Sequence, residues 1–302
     1  MPEDDNATTA AVQVPAAPGS VSRFPSVPAP VKRVFDRFPL ATYPPNDVPR
    51  RLSNPQHEHR LYVFIDARGA KHGRPSYNPH CLKWQAYLKF IGINFTIIPS
   101  NNHASPTGAL PFLLPAASSS GVSADHLVPV PSTKLQKWAI EQMHVEEEQQ
   151  LSIRFDVYAS LLDHRIRNAW LYTFYLDQRN FDAIARKFYV NSSTSNIIVR
   201  AILARQLQQA AKDELLKTSS YIDVDDIEME ACNAFDALST LLGPDEHFFG
   251  RQTPGLFDAS VFAYTHLLLD DSLGWQRNAL GKHLSKLENL VQHRQRLLEM
   301  YF

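Results

Sequence analysis

The chain has 302 residues, of which 44% are hydrophobic and 20% charged, and its formal net charge is -1. This composition is that of a globular protein with enough apolar material for one large domain or two modest ones. A chain without a basic surplus is not expected to bind nucleic acid.

Simple sequence features argue against several further classes of protein. Cys81 and Cys232 form no CxxC pair, which argues against a structural zinc site or a disulfide framework and suits a reducing compartment. No apolar run of about 18 residues occurs, so we expect no membrane-spanning helix and membrane association only through partners. The start, Met1-Pro2-Glu3-Asp4-Asp5, is acidic, unlike that of a signal peptide or presequence, so we expect neither. Histidines with no metal-binding spacing are expected on the surface or in loops: His57, His59, His80 and His103.

The N-terminal part of the chain contains two different segments. Residues 1–30 form a Pro/Ala-rich leader without apolar periodicity, which predicts disorder. Residues 31–57 form an arm in which basic and aromatic residues alternate. This arm either packs on its own domain or docks on a partner. The residues that we predict to bind a partner are Lys32, Arg33, Phe35, Arg37, Phe38, Arg50 and Arg51.

Residues 58–131 are predicted to form a small α/β domain. An apolar strand at 61–65 is followed by a loop at 66–75 and by a helix that ends at Gly92. A second strand at 95–98 completes a βαβ unit, so we expect these two strands to be parallel. Two more short strands are predicted. One begins near Pro111, and the other ends near Val130.

Residues 132–302 contain no convincing strand pattern and are predicted to be all-helical. Beyond a first helix at 132–143, the predicted helices cover residues 151–162, 164–176, 181–190, 193–218, 224–242, 256–269 and 280–301, the last range holding two. In the helix at 193–218, one stripe contains Val199, Leu203, Leu207 and Ala210. The predicted organisation is a small α/β domain followed by a helical one.

Two stretches resemble the glutathione-transferase superfamily, in which a thioredoxin-like domain precedes a helical one. Gly108-Ala109-Leu110-Pro111-Phe112-Leu113 is similar to the loop before the third strand of that family, where the proline is cis. Phe248 to Ala259 is similar to the stretch that opens the buried helix of the second domain. The resemblance implies that Gly255 stands at the cap position of this helix and Asp258 at the acidic position of its capping box.

Within that superfamily, three stretches resemble the metaxins. They are Pro79 to Leu88, Phe257 to Ala263, and the closing Leu287 to Arg296 with its Asn-Leu-x-x-His-x-x-Arg pattern. The Pro-rich leader and the loop at 100–105 are most similar to the fungal small peripheral metaxin-like subunit of the mitochondrial sorting and assembly machinery.

The resemblance implies a function without catalysis and without a cofactor or metal. A subunit of this kind lies on the cytosolic face of the mitochondrial outer membrane and helps to recognise and insert β-barrel precursor proteins. Its implied partners are the core β-barrel subunit, a second metaxin-like subunit and the precursors themselves.

A glutathione-dependent transferase or reductase is the alternative function. Such an enzyme needs a residue near the start of the first helix to stabilise the glutathione thiolate, and Ser76, Tyr77 and Cys81 are candidates. It also needs backbone donors beside the cis proline and an acidic-Ser pair after the fourth strand. Pro131-Ser132 occupies the position of that pair, without the acid. A soluble scaffold outside mitochondria is a third possibility.

Overall fold

The computed structural model of the chain describes residues 58–116, 128–143, 153–217 and 219–302. The leader and the arm, with all seven predicted partner-binding residues, lie outside the described residues.

The described secondary structure comprises four strands, ten helices and three short 3-10 turns. The strands are β1 (His59–Val63), β2 (Phe95–Pro99), β3 (Phe112–Leu114) and β4 (Val130–Pro131). The first three helices are α1 (Ala67–Lys71), α2 (Pro79–Phe90) and α3 (Ser132–Met143). The remaining helices are α4 (residues 153–176), α5 (residues 178–191), α6 (Ile197–Leu215), α7 (Val224–Leu242), α8 (Leu256–Leu269), α9 (Ala279–Leu284) and α10 (Glu288–Tyr301). The 3-10 turns are Asn102–Ala104, Phe248–Gly250 and Asp271–Leu273.

The strands form one mixed sheet in the order β2-β1-β3-β4. β1 is parallel to β2, with Leu61 opposite Ile97, as the strand–helix–strand pattern predicts. β3 runs antiparallel to β1 and places Leu113 opposite the same Leu61. The predicted fold class, a thioredoxin-like α/β portion followed by an all-helical portion of glutathione-transferase type, is confirmed.

Helix α2 connects the sheet to the helical part. Its start is capped by Asn78, whose side chain accepts from the Cys81 N–H at 3.1 Å. It ends before Gly92, whose φ of 80° requires a residue without a Cβ. Its apolar residues are buried around the whole helix rather than on one face, because α8 packs along it and β1 joins the same core.

Helix α10 closes the core against α2. The Lys89 ammonium donates to the Tyr301 carbonyl at 2.7 Å and lies 4.1 Å from the centre of the Phe302 ring. Phe302 stacks on Phe262 of α8, which in turn meets Phe90 of α2 edge-on. The C-terminal residues therefore hold the two parts of the fold together.

The two helices predicted at 151–162 and 164–176 are in fact one, α4. Its segments Ile153–Ser160, Leu161–Ile166, Arg167–Leu171 and Tyr172–Leu176 follow one another with helical backbone angles at every junction. The second and fourth segments are π-helical, and a π turn shifts the apolar residues to a different face. The interrupted periodicity therefore suggested a break that the backbone does not have.

The predicted loop at 66–75 was also wrong in part, because it contains α1. The carboxylate of Asp66 caps this short helix by accepting from the Gly69 N–H at 2.6 Å. A glycine inside a five-residue helix hides the apolar pattern, whereas the aspartate is the N-cap signal.

Helix α6 differs from its predicted stripe. Leu203 and Leu207 are partly buried, but Val199 and Ala210 are exposed. The first fully buried residue of the helix is Ala204. By contrast, α7 and α8 have the predicted bounds, and α7 ends at Gly243 as predicted.

Two further side-chain environments differ from expectation. A cysteine without a partner is more often a buried core residue than a reactive one, and Cys81 is fully buried, but Cys232 is only half-buried. His80 and His103 are exposed, as predicted, and His59 is half-buried in an edge-to-face contact with Trp138. Three other histidines lie in the core instead, namely His247, His266 and His293. None of the helices among the described residues has the length and apolar character needed to cross a bilayer.

Acidification should destabilise the fold through His266. Its ring is buried and stacks on Phe262, and burial, reinforced by the Arg294 charge, lowers its pKa to about 4. The unfolded chain protonates this histidine near pH 6.5, so its stabilisation is complete above that pH and is lost as the pH falls towards 4. We expect the free energy of unfolding to be about 2 kcal/mol lower at about pH 5 than at pH 7.5 because of this residue.

Urea unfolding at both pH values measures the effect, with His266→Phe as the comparison because it keeps the stacked ring and removes the titration. The variant should lose correspondingly less stability on acidification. An equal loss in both proteins would assign the effect to other groups.

Candidate functional site

The resemblance places a thiol-binding site between β1 and the start of α2. Ser76 is fully buried there, and its Oγ donates to the Phe64 carbonyl at 2.6 Å and accepts from the Asn78 N–H at 3.2 Å. Its own N–H donates to Gln85 Oε1 at 2.9 Å. The hydroxyl and the N–H of Ser76 are therefore used inside the protein.

Cys81 cannot act as a thiolate at neutral pH. Its side chain has no solvent exposure, and burial raises its pKa to about 12, despite hydrogen bonds to the Phe64 backbone and the Ser76 side chain that lower it. Reactive cysteines are partly exposed and have a lowered pKa. Cys81 is therefore a packing residue of the core.

Tyr77 is held by helix α5 instead of facing an open cleft. Its hydroxyl donates to the Phe188 carbonyl at 3.4 Å, and its ring stacks on the Phe188 ring with 4.5 Å between centroids. Burial raises the pKa of Tyr77. The hydroxyl that would hold a bound thiolate is directed to a backbone carbonyl of its own chain.

An aromatic cluster fills the space in front of these residues. We define it as Phe64, Tyr77, Phe174, Tyr175, Phe188 and Tyr189. Tyr189 lies at its centre, with its ring 5.0 Å from that of Phe64, 5.4 Å from that of Tyr77 and about 6 Å from those of Phe174 and Tyr175.

Tyr189 also covers the start of α2. The Asn78 side chain donates to the Tyr189 hydroxyl at 2.9 Å, while its oxygen caps the helix. A helix N-terminus is otherwise a ready site for a negatively charged ligand. The contact joins α5 to the very residue that begins α2.

The backbone donor beside the cis proline is occupied as well. The Leu110-Pro111 peptide bond, predicted to be cis, is cis in the structure. The Leu110 N–H, which precedes this bond, donates to Asn102 Oδ1 at 3.1 Å. A glutathione backbone would have to displace the Asn102 side chain to reach it.

The position of the acidic-Ser pair offers no carboxylate. Pro131 belongs to β4, opposite Phe112, and Ser132 begins α3. Proline has neither a charge nor an N–H to offer to a γ-glutamyl group. A small charged ligand would therefore lose a contact to an ionised group, worth about 1.5–3 kcal/mol.

A second cluster of titratable groups surrounds Asp258. Asp258 and the rings of His247 and His293 are buried, and one possible ligand atom of each lies within 4.8 Å of the others, as metal ligands could. However, Asp258 Oδ1 accepts from the Phe248 N–H at 3.0 Å and lies 2.9 Å from His293 Nε2, so both of its lone pairs are engaged. Oδ2 accepts from the Gly255 N–H at 2.9 Å. Three of the four acceptor sites of the carboxylate are therefore used inside the protein, which makes Asp258 a structural anchor.

This anchor includes the capping arrangement that the resemblance implied. Gly255 is the N-cap of α8, and Asp258 at the third position accepts from its backbone N–H. Glycine has no side chain to return a hydrogen bond, so half of the capping box is present. Sequence reasoning did not foresee that His293 of α10 also contacts the Asp258 carboxylate.

Sequence reasoning also missed two residues that close the cleft, Asn102 and Tyr189. Asn102 lies in the 100–105 loop, where an asparagine next to Asn101 indicates only a turn. Tyr189 follows Phe188 on an amphipathic helix, a pattern that indicates core packing. The contacts of both depend on tertiary structure, so the only local signal is a residue able to hydrogen bond.

Three family models match parts of the chain. Residues 26–82 match SAM35, subunit of the SAM complex; residues 79–180 match the glutathione S-transferase N-terminal domain; and residues 231–297 match the glutathione S-transferase C-terminal domain. The matches follow one another along the chain, and the first reaches into α2.

The chain is also similar to curated relatives and to solved structures. The chain is 28% identical to Metaxin-3 of Xenopus laevis over 242 residues, covering 78% of this chain and 75% of the relative. It is 27% identical to Metaxin-1 of Macaca fascicularis over 241 residues, covering 76% and 72%. It is also similar to a glutathione S-transferase of Ceriporiopsis subvermispora in complex with glutathione, with a TM-score of 0.49 and 12% identity over 81% of this chain and 98% of that one.

Proposed function

Since the chain belongs to the metaxin family of the glutathione-transferase-like superfamily, we propose that it is a non-catalytic, peripheral subunit of the mitochondrial outer-membrane sorting and assembly machinery. In this role it helps to recognise and insert β-barrel precursor proteins from the cytosolic face. The observation that carries the proposal is the match of residues 26–82 to a family model described as a subunit of the SAM complex.

The occupied cleft supports the non-catalytic part of the proposal. The candidate thiolate-stabilising groups are Ser76, Tyr77 and Cys81, and each is hydrogen-bonded or buried. The Leu110 N–H is bonded to Asn102, and Pro131 provides no acid. Proteins that share a fold need not share an activity. The function is therefore argued from the residues of the site and not from similarity to glutathione transferases.

The arm at residues 31–57 is our proposed contact with the core β-barrel subunit. Its partner-binding residues alternate aromatic rings with arginine, the residue types that dominate binding energy at protein interfaces. The family match at residues 26–82 spans the whole arm and ends in α2, which supports a role for the arm in assembly. A second metaxin-like subunit is the other expected partner.

Alanine substitution of the arm should detach the protein from its partners. We expect the triple variant Phe35→Ala, Arg37→Ala and Phe38→Ala to reduce co-purification of the core barrel subunit at least about tenfold, because aromatic and arginine anchors each contribute 1 kcal/mol or more. The measurement is affinity purification of the tagged full chain from mitochondria, with partners identified by mass spectrometry.

The matched control replaces Lys134 and Lys137, two exposed basic residues of α3, by alanine. The control should retain the barrel subunit, and helix content should not change in either variant. Undiminished recovery of the barrel with the arm variant would contradict the assignment of the arm. Absence of any outer-membrane barrel with the unaltered chain would contradict the proposed function.

A further inference from the structure

Helix α6 begins with an apolar segment that none of the described residues covers. Ile197 is 81% exposed, Ile198 71% and Ile202 52%, and Val199 is also exposed. We call residues 197–202 the helix tip. The first buried residue is Ala204, so nearly two helical turns project beyond the core on which α6 packs.

Helix stability does not account for isoleucine at the tip. β-branched residues lose side-chain freedom in a helix and stabilise it less than alanine, leucine or glutamine does. The helix start is already held by Asn196, whose side chain accepts from the Ile198 N–H at 2.9 Å. Several large apolar side chains at one projecting end indicate contact with another apolar phase.

The charge around the helix tip indicates the nature of the apolar phase that it contacts. Residues 183–212 contain five basic residues and no acidic one, in a chain whose formal net charge is -1. Arg205 is exposed three residues after Ile202, on the same face of the helix, and Lys187 is exposed on α5. Apolar residues flanked by lysine and arginine are the pattern of segments that enter the interface of an anionic membrane.

Hydrogen bonds from Arg200 also fix the backbone at the helix tip. Arg200 is half-buried, and its Nε donates to the Thr194 carbonyl at 2.6 Å. Its terminal nitrogen donates to the Asn191 carbonyl at 3.4 Å. These bonds join the preceding turn to the first turn of α6, so the isoleucines are presented on a fixed support.

We propose that the helix tip inserts its isoleucine side chains into the headgroup region of an anionic lipid bilayer, with Arg205 and Lys187 at the phosphate level. The contact goes beyond the proposed function, because it needs no partner protein. It would fix the orientation of the subunit on the membrane surface, while the arm selects the barrel.

Vesicle flotation with the purified full chain tests the proposal. The vesicles are phosphatidylcholine alone and phosphatidylcholine with about a third anionic phospholipid. We expect binding to the anionic vesicles that weakens in high salt, and at least about tenfold weaker binding for the variant Ile197→Gln, Ile198→Gln and Ile202→Gln. Glutamine is the better helix former, so α6 should remain folded.

A matched control replaces three other exposed apolar residues, Val157, Met229 and Met300, by glutamine. The control should float like the unaltered chain. Equal flotation of the tip variant, or no binding of the unaltered chain to either vesicle, would overturn the proposal, and the second outcome would favour a protein partner for the tip.

Affinity purification separates this test from that of the proposed function. The tip variant retains its arm, so it should still recover the barrel subunit from mitochondria. If affinity purification with the unaltered chain recovered no barrel subunit, this would count against the proposed function and would leave the vesicle result unaffected.

Discussion

Replacing Asp258 by asparagine is expected to lower the free energy of unfolding by about 3–5 kcal/mol. The carboxylate is 1% exposed and accepts from two backbone N–H groups and from His293. An asparagine of the same shape keeps one acceptor oxygen and turns an NH₂ donor towards the remaining donors. Each buried donor left without a partner costs about 1–3 kcal/mol.

The same carboxylate also fixes a strained turn. Phe249, next to the Phe248 N–H that Asp258 holds, has a φ of 59°, a left-handed value that is rare for an aromatic residue. Its ring meets those of Phe155 and Phe257. Loss of the anchor should therefore loosen the turn at Phe248–Gly250 together with the start of α8.

Guanidinium unfolding of the full chain measures the Asp258→Asn effect. The control is Asp156→Asn, an exposed carboxyl in the first turn of α4, which should change stability by less than about 0.5 kcal/mol. If both substitutions had the same small effect, Asp258 would not be an anchor.

Replacing Tyr189 by alanine should cost about 2–4 kcal/mol, because it removes the centre of the aromatic cluster. The substitution leaves Phe64 and Tyr77 without their edge-on neighbour and Asn78 without its hydroxyl partner. Tyr189→Phe keeps the ring and should cost only about 1 kcal/mol for the lost hydrogen bond.

The comparison residue is Tyr221, which is 68% exposed, and its alanine variant should change stability little. Urea unfolding of the three variants gives the ranking. A Tyr189→Ala protein as stable as the unaltered chain would show that the cluster does not hold α5 against the start of α2.

Local pattern was sufficient to predict α7, which keeps a constant apolar period, and α8, which is apolar over most of its length. α7 and α8 have the predicted bounds, and the βαβ unit is present with parallel strands. Prediction was less successful where the period changes, as in the π-helical segments of α4. The exposed start of α6 has the same apolar residues as a core helix, so sequence alone could not show that it projects.

The closed cleft depended on contacts between distant parts of the chain. Asn78 and Tyr189 are 111 positions apart, and His293 reaches Asp258 from 35 positions away. The missing acid at Pro131 was visible in the sequence. The capture of the Leu110 N–H by Asn102 was not, because an asparagine in a loop has many available partners.

Titration of the chain with millimolar glutathione, followed by calorimetry and by thermal unfolding, is the sharpest test of the occupied cleft. The aromatic cluster and the missing acid predict no binding heat and an unchanged Tm. A ligand present at about 100 times its Kd would stabilise the fold by about 2.7 kcal/mol and raise the Tm by several degrees. Stoichiometric binding with such a shift would contradict the occupied cleft and the non-catalytic role together.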